Sequence, residues 1–342
     1  MTGSSPRVIL AIETSCDETA AAVLEEGSRL RANVVASQAD IHRQFGGVIP
    51  ELASRNHLEQ VNILVDSALR ESGLALGDMD GIAVSCGPGL AGALLVGVNT
   101  AKGLAYGLGL PLLGVNHIEG HIYANWLTHG QIEFPLIGLV VSGGHTALTR
   151  MTGHGRYELL GQTRDDSAGE AFDKAARAMG LPYPGGPEID RLASEGREGA
   201  YELPRAWLGD GSWEFSFSGL KTAMMRLVQR EREKKTLNIP DLAASFQESV
   251  VEVLVEKTVR AAVRFETGNV LMAGGVAANR KLRERMARRA REEGLRLYCP
   301  EPVFCTDNAA MIACAAYYRF AGGERSGWDL NAIPGMKLYS AK

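Results

Sequence analysis

Two histidines, His117 and His121, stand four residues apart in this chain. On a helix that spacing puts both imidazoles on one side, where they can share a metal ion. No glutamate directly follows His117, so the HExxH pattern of zinc peptidases is absent. A third ligand must come from elsewhere, and the candidate is Asp307, expected at the N-cap of the last helix, a position that equally suits plain capping. Such a His₂Asp set suits Fe(II), Zn(II) or Mn(II), and the spacing does not choose among them.

A glycine turn follows the apolar strand expected at residues 136–142. Its glycines let the backbone approach a ligand closely, and bare N–H groups in such a turn suit a phosphate. The alternative is a tight hairpin turn with no ligand. A metal near a phosphate-binding turn indicates chemistry on a nucleotide. The candidate phosphate-binding residues are Val140, Val141, Ser142, Gly143 and Gly144.

Polar side chains at two later helices could contact a nucleotide as well. Asp173, in a helix expected at residues 169–179, could accept a ribose hydroxyl, and Gly186 opens space for a flat group. Asn279 follows a strand that runs into two glycines and then a helix, which is a recurrent nucleotide contact. The motif is not GxGxxG, which disfavours a dinucleotide fold. The plainer interpretation of the region around Asp173 is an exposed face of ion pairs.

A basic helix begins just after Asn279. Glutamates dilute its positive charge, so a solvated helix face is the first interpretation and contact with a phosphate backbone is the alternative. The net charge of −4 and the pI near 6.0 give the whole chain no basic footprint for nucleic acid. The basic residues are Arg280, Lys281, Arg283, Arg285, Arg288, Arg289 and Arg291.

Size and composition allow two domains, because 342 residues and 45% hydrophobic side chains supply a sizeable core. The five cysteines form no CxxC pair, which is typical of reduced thiols in a cytoplasmic protein. No apolar run approaches the roughly 18 residues of a membrane span, and no signal-peptide core is found. Neither a membrane nor an export role is indicated.

Hydrophobic periodicity predicts the same order of elements in both halves: strand–turn–strand–strand–helix–strand–helix–strand–helix. We therefore predict an α/β protein of two duplicated lobes with a nucleotide cleft between them, as in actin-like and sugar-kinase-like proteins. The lobes are expected at residues 1–132, completed by 308–342, and at 133–307. One large irregular α/β domain is the alternative. The helix expected at residues 51–72 should bury one apolar face, made of Leu52, Leu58, Val61, Leu64, Val65 and Leu69.

Eight motifs, taken in order, resemble one family over nearly the whole chain: the catalytic subunit of bacterial tRNA N6-adenosine threonylcarbamoyltransferase. Any one motif would be weak, but the ordered set is highly specific. The motifs are 12–19 (IETSCDET), 117–121 (HIEGH), 141–146 (VSGGHT), 169–174 (GEAFDK), 183–187 (YPGGP), 215–222 (FSFSGLKT), 274–279 (GGVAAN) and 306–309 (TDNA).

The resemblance implies an actin-like (ASKHA) fold of two RNase H-like lobes. It also implies transfer of a threonylcarbamoyl group from threonylcarbamoyl-AMP to N6 of the adenosine 3′ of the anticodon, in tRNAs reading ANN codons. Implied partners are tRNA, a paralogous actin-like subunit and a small ATPase. By motif, His117, His121 and Asp307 resemble the family's iron ligands. The residues that resemble its substrate-binding positions are Val140 to Gly144, Asp173, Gly186, Asn279 and, as a weaker candidate, Asp190.

Three other functions remain to be weighed. A metallopeptidase would use the histidine pair but lacks the adjacent glutamate. A small-molecule kinase on the same fold would turn over ATP without tRNA. A scaffold would only bind a paralogous lobe. The group that accepts the proton of the attacking adenine amine is left open, with Asp17, Glu18 and the metal-bound groups as candidates by position alone.

Overall fold

The computed structural model describes residues 6–209 and 211–338. The parts of the predicted lobes at residues 1–5, 210 and 339–342 lie outside the described residues. The chain forms two compact units, one from residues 6–132 and 300–338 and the other from residues 133–299. Residues 300–307, expected in the second lobe, belong to the first unit. The amide of Glu301 donates to Thr128 Oγ1 at 3.0 Å, which ties this segment to the first unit. Asp307 therefore lies in the same unit as the two histidines.

The first unit is built on a five-stranded sheet of order β3-β2-β1-β4-β5. The pairs β1–β2 and β2–β3 are antiparallel, whereas β1–β4 and β4–β5 are parallel. Its elements are β1 (Val8–Glu13), β2 (Glu18–Glu25), β3 (Arg29–Ser37), α1 (Ala39–Arg43), α2 (Pro50–Ser72), β4 (Gly81–Gly87), α3 (Ala91–Leu108), β5 (Leu112–Asn116) and α4 (His117–His129).

The second unit repeats this sheet with the order β10-β9-β6-β7-β8. Read from its first strand, it has the same antiparallel and parallel pairs as the first sheet, so the predicted duplication is confirmed. Its elements are β6 (Leu136–Val141), β7 (Thr146–Gly153), β8 (Arg156–Gln162), α5 (Ala168–Met179), α6 (Gly185–Ala193), α7 (Ser218–Lys234), α8 (Ile239–Arg264), β9 (Asn269–Ala273), α9 (Arg280–Glu292) and β10 (Arg296–Tyr298).

Helices cover both faces of the first sheet, which is why its central strands read as continuous apolar runs. Leu10 and Ile12 of β1 lie in one buried cluster with Val61 of α2 and Val98 of α3. On the other face the last helix, α10 (Ala309–Ala321), packs against α4, β1 and β2. Its many alanines allow this close approach, and α10 thereby sets the position of the residues just before it.

Two details of the sequence interpretation were wrong. Leu58 and Leu52 of α2 are exposed, to 67% and 36%, whereas Val61, Leu64 and Val65 are buried as expected. The buried face of α2 is therefore narrower than the apolar face predicted from the sequence. Helix α6 was not anticipated, since two glycines and a proline at its start conceal the helical pattern. No helix in the described part of the chain is long and apolar enough to cross a membrane.

Candidate metal centre and substrate-binding residues

Helix α4 begins at the first histidine of the pair. Asn116, the last residue of β5, is its N-cap, and its side-chain oxygen accepts from the amides of Ile118 and Glu119. The strand end therefore fixes His117 in the first turn, and His121 follows one turn later. The two rings lie with centroids 4.6 Å apart and planes at 79°. Both imidazoles are almost fully buried.

Asp307 meets the two histidines. Its Oδ1 lies 3.2 Å from His121 Nε2 and 3.5 Å from His117 Nε2. One donor atom from each of the three residues lies within 4.8 Å of the others. The prediction that Asp307 is the N-cap of the last helix was wrong: Asn308 caps α10, its Oδ1 accepting from the amide of Met311 at 3.0 Å. Capping is thus done by the neighbouring residue, and Asp307 turns toward the histidines.

The donor set fits a divalent cation. Neither ring nitrogen of His121 makes a well-aligned hydrogen bond to the described residues, although both are buried and Nε2 lies 3.2 Å from Asp307 Oδ1. Such unsatisfied groups are costly unless something binds them. The surroundings are also negative: burial, Asp307 and Asp17 raise the pKa of Glu18 to about 9. A cation at the three donor atoms would bind a ring nitrogen of His121. It would also offset the repulsion between the carboxylates of Asp307, Asp17 and Glu18.

Two residues behind His117 were not predicted from the sequence. Glu13 Oε2 and Ser15 Oγ each lie 3.0 Å from His117 Nδ1, so the ring presents Nε2 to Asp307 and His121. Burial lowers the pKa of His117, but Asp307 and Glu13 outweigh it and raise that pKa to about 9. The sequence held one signal for the contact between Glu13 and His117. Glu13 ends β1, and Asn116, the residue before His117, ends β5. Only β4 lies between these parallel strands, so their carboxyl ends share one edge of the sheet.

Glu119, the acid nearest the histidines in sequence, is engaged elsewhere. Its Oε2 lies 3.4 Å from the guanidinium of Arg319 in α10. The carboxylate thus serves an ion pair between two packed helices. This arrangement gives no support to a peptidase-like base beside the histidine pair.

In the second unit, the predicted phosphate turn joins β6 to β7. Val140, Val141 and Ser142 are buried, whereas Gly143 and Gly144 are exposed, and a Cβ on either glycine would meet no atom within 4 Å. The start of α5 holds the turn in place, because the N-cap Ser167 donates to the carbonyl of Gly143 at 2.5 Å. The open backbone of the turn is therefore supported from behind by a helix N-terminus, which favours anions.

Two glycines make this arrangement possible. A Cβ on Gly169 in the first turn of α5 would lie 2.5 Å from the carbonyl of Ser142. Gly274, which follows β9, has a φ of +91°, and a Cβ there would lie 2.4 Å from the carbonyl of Val141. A side chain at either position would push β9 or α5 away from the turn.

Among the remaining substrate candidates, Asp173 and Asp190 make hydrogen bonds within the unit. Asp173 Oδ1 accepts from the amide of Gly185 at 2.7 Å and so ties α5 to the start of α6. Gly186 has open space above it. Asp190 Oδ2 accepts from Arg280 Nε at 3.0 Å. Gly186 and Asp190 lie in α6, the helix that was not predicted from the sequence.

Asn279 is the N-cap of α9: its Oδ1 accepts from the amide of Leu282 at 2.9 Å and its Nδ2 donates to Gln247 at 2.9 Å. Beside it, a polar cavity of about 220 Å³ is lined by residues of α6, α8 and α9, among them Asp190 and Gln247. Asp190 thus lines the cavity directly, whereas Asn279 adjoins it through its hydrogen bond to Gln247.

Most of the basic helix serves packing within the unit. Arg285 pairs with Glu248 of α8, and Arg289 Nε lies 2.9 Å from Glu256 of α8. Arg288 remains 64% exposed and meets Glu292 only at 4.0 Å. The solvated-face interpretation therefore holds for only part of α9, and most of its basic residues pair with other groups of the second unit.

The two repeated sheets define the class: this is an α/β protein of the actin-like (ASKHA) fold. Consistent with that, the solved structure of T. kodakarensis HypF superposes with a TM-score of 0.59, covering 94% of this chain and 49% of that chain at 16% identity. The likeness establishes the fold alone.

The chain belongs to the tRNA N6-adenosine threonylcarbamoyltransferase family, whose model matches residues 29–314. A relative of that name from Desulfitobacterium hafniense is 54% identical over 331 residues, covering 96% of this chain and 97% of the relative. Another from Symbiobacterium thermophilum is 56% identical over 338 residues, 99% of each chain. None of these comparisons favours the kinase or the peptidase.

Proposed function

We propose that this chain transfers a threonylcarbamoyl group from L-threonylcarbamoyladenylate to N6 of the adenosine 3′ of the anticodon, in tRNAs that read ANN codons. The observation that carries the proposal is the near full-length identity, 54–56%, to relatives named for this transfer. In the reaction the exocyclic amine attacks the carbamoyl carbon, a new C–N bond forms, the bond to the phosphate breaks, and AMP leaves. The amine loses one proton.

Under this proposal His117, His121 and Asp307 hold one Fe(II) ion, with Zn(II) or Mn(II) as alternatives. When bound, the ion supplies Lewis acidity, which polarises an acyl or phosphoryl oxygen. The three residues position the ion through Nε2 of His117, a nitrogen of His121 and the carboxylate of Asp307. Support comes from the convergence of these donor atoms and from the buried nitrogens of His121, which make no well-aligned hydrogen bond to the described residues.

The second unit is proposed to bind the adenylate. The turn from Val140 to Gly144 would take the phosphate through backbone amides, since Gly143 and Gly144 are exposed and the N-terminus of α5 lies behind them. Asp173, Gly186, Asp190 and Asn279 would contact the nucleoside. Their support is the shared motif pattern. Asp190 also lines the polar cavity, and Asn279 donates to Gln247 of its lining.

The proposed partners are tRNA, a paralogous actin-like subunit and a small ATPase, and the proposed location is the cytoplasm. The base to be modified must leave its stack, which the single-stranded anticodon loop allows. Exposed apolar side chains on α2, Leu58 and Ile63, are consistent with a protein partner. The free cysteines agree with a reducing compartment.

A reconstitution tests the function. The chain, its two protein partners and the enzyme that forms the adenylate are incubated with tRNA, ATP, bicarbonate and threonine, and the digested tRNA is examined by mass spectrometry. The proposal expects threonylcarbamoyladenosine only when this chain is present. A kinase or a peptidase would leave the tRNA unmodified, and that result would overturn the proposal.

A further inference from the structure

The two histidines of the metal centre have unequal surroundings. Two oxygens, Glu13 Oε2 and Ser15 Oγ, lie 3.0 Å from His117 Nδ1. Nδ1 of His121, by contrast, has no hydrogen-bond partner among the residues that the structure describes. Nδ1 of His117 is therefore held by two neighbouring oxygens, whereas Nδ1 of His121 is not held by any hydrogen bond from the described residues.

Glu13 is itself held in one orientation. Its side chain is fully buried at the end of β1. Its Oε1 accepts from the backbone amide of Ser15 at 2.5 Å and from the hydroxyl of Ser85 at 3.0 Å. Because a backbone amide only donates, the atom at the Oε1 position must be an acceptor. The other oxygen is thereby aimed at His117.

We propose that Glu13 is a positioning residue for the metal centre: it keeps a proton on Nδ1 of His117, so that Nε2 is the ring nitrogen whose lone pair is available to the ion. It also supplies a buried negative charge one ring away from the ion. Two neutral imidazoles and the Asp307 carboxylate supply one negative charge against the two positive charges of a divalent cation. The Glu13 carboxylate supplies the second negative charge. Carboxylates that accept from the far nitrogen of a histidine ligand are known to set both its tautomer and its basicity.

The proposal makes Glu13→Gln informative, although the two side chains have nearly the same shape. The amide of Ser15 still requires an oxygen at the Oε1 position, so the NH₂ group of the glutamine must face His117. That group donates to Nδ1 and drives the ring proton to Nε2, where it blocks the metal. Ser85→Ala is the matched control, because it removes a hydrogen bond from the same carboxylate and leaves both its charge and its contact with His117.

The test is the dissociation constant of Zn²⁺ for the full chain, measured by competition with a chromophoric chelator. We expect Glu13→Gln to weaken Zn²⁺ binding by roughly 10–100-fold, and Ser85→Ala to change it by less than about 3-fold (a free-energy change below about 0.7 kcal/mol). Equal binding by the wild type and Glu13→Gln overturns the inference. Equal weakening by both variants also overturns it, since that would make the effect a general loss of packing.

A second measurement does not depend on any variant folding. In the Zn²⁺-loaded wild type, ¹⁵N NMR of the imidazoles should show the proton of His117 on Nδ1 and the metal on Nε2. Metal on Nδ1 would contradict the inference. The inference rests on the proposed binding of a metal by His117, His121 and Asp307. A wild type that binds no Zn²⁺ would overturn both the metal site and the role of Glu13. The tRNA transfer assay tests the proposed activity separately.

Discussion

Asp166, in the second unit, lies at the centre of a small ionic network. Its Oδ1 is 2.8 Å from Lys174 Nζ of α5, and its Oδ2 is 2.6 Å from Lys221 Nζ and 2.9 Å from Ser218 Oγ of α7. The network joins the starts of two helices, one of which supports the turn around Gly143. Replacing Asp166 by asparagine keeps the shape of the side chain and removes its charge.

The size of the effect follows from the pKa of Asp166. Burial by itself raises that pKa, but hydrogen bonds from Lys174, Lys221 and Ser218 outweigh it and lower the pKa to about 2, from 3.8. At roughly 1.4 kcal/mol per unit, the charge stabilises the fold by at most about 2.5 kcal/mol. Screening of the partly exposed lysines reduces this to about 1–2 kcal/mol. Because the pKa is lower in the folded state, the stabilisation is present above about pH 4 and is lost as the pH falls toward 2.

Urea unfolding of the wild type and Asp166→Asn at several pH values measures this directly. At pH 7 the midpoint should fall by roughly 0.5–1 M, given a typical slope of 1–3 kcal/mol per M. The difference should shrink as the pH drops below 4. Glu170→Gln is the control, because Glu170 meets the same lysine but is 44% exposed; its midpoint should change by less than about 0.3 M. An unchanged midpoint for Asp166→Asn at pH 7, or a difference independent of pH, would show that the charge of Asp166 does not stabilise the fold.

Three further substitutions have defined outcomes. His121→Ala should weaken Zn²⁺ binding at least about 100-fold, as seen by chelator competition, because a direct ligand is lost; unchanged affinity would remove His121 from the site. Asn279→Ala should lower the free energy of unfolding by about 1 kcal/mol, since the cap of α9 is lost, and should weaken adenylate binding. Asn279→Asp keeps the cap, so adenylate binding that is normal in both variants would exclude a nucleotide contact. Arg288→Glu should weaken tRNA binding and lower its salt dependence by roughly one unit in the logarithmic slope or more, and fluorescence anisotropy that shows no change would leave Arg288 as a solvated side chain.

Much of the fold could be predicted because it depends on local patterns. The buried strands of both sheets are short apolar runs that end in polar or glycine residues, and their repeated order predicts the duplication. The structure differs where local patterns mislead. Helix α6 begins with two glycines and a proline, which usually mark a turn. Leu58 matches the apolar period of α2, yet no other element of the first unit covers it.

The candidate metal centre could be predicted only in part, for a physical reason. The spacing of His117 and His121 is local, so a helix brings them together wherever it packs. The approach of Asp307 depends on α10 packing against α4, and the contact from Glu13 depends on the order of parallel strands. Neither follows from spacing along the chain. Asp307 was proposed from its expected position at the start of the last helix and then from the resemblance of motifs, whereas the contact of Glu13 with His117 was not predicted.

The most direct test of the central proposal relates metal content to transfer. The chain is stripped with a chelator, reloaded stepwise with Fe(II) under anaerobic conditions, and assayed with its partners, tRNA and the adenylate. We expect the rate of threonylcarbamoyladenosine formation to rise in proportion to bound iron and to level off at one ion per chain. Transfer at the full rate in the stripped protein, with its metal content verified by mass spectrometry, would contradict the proposal.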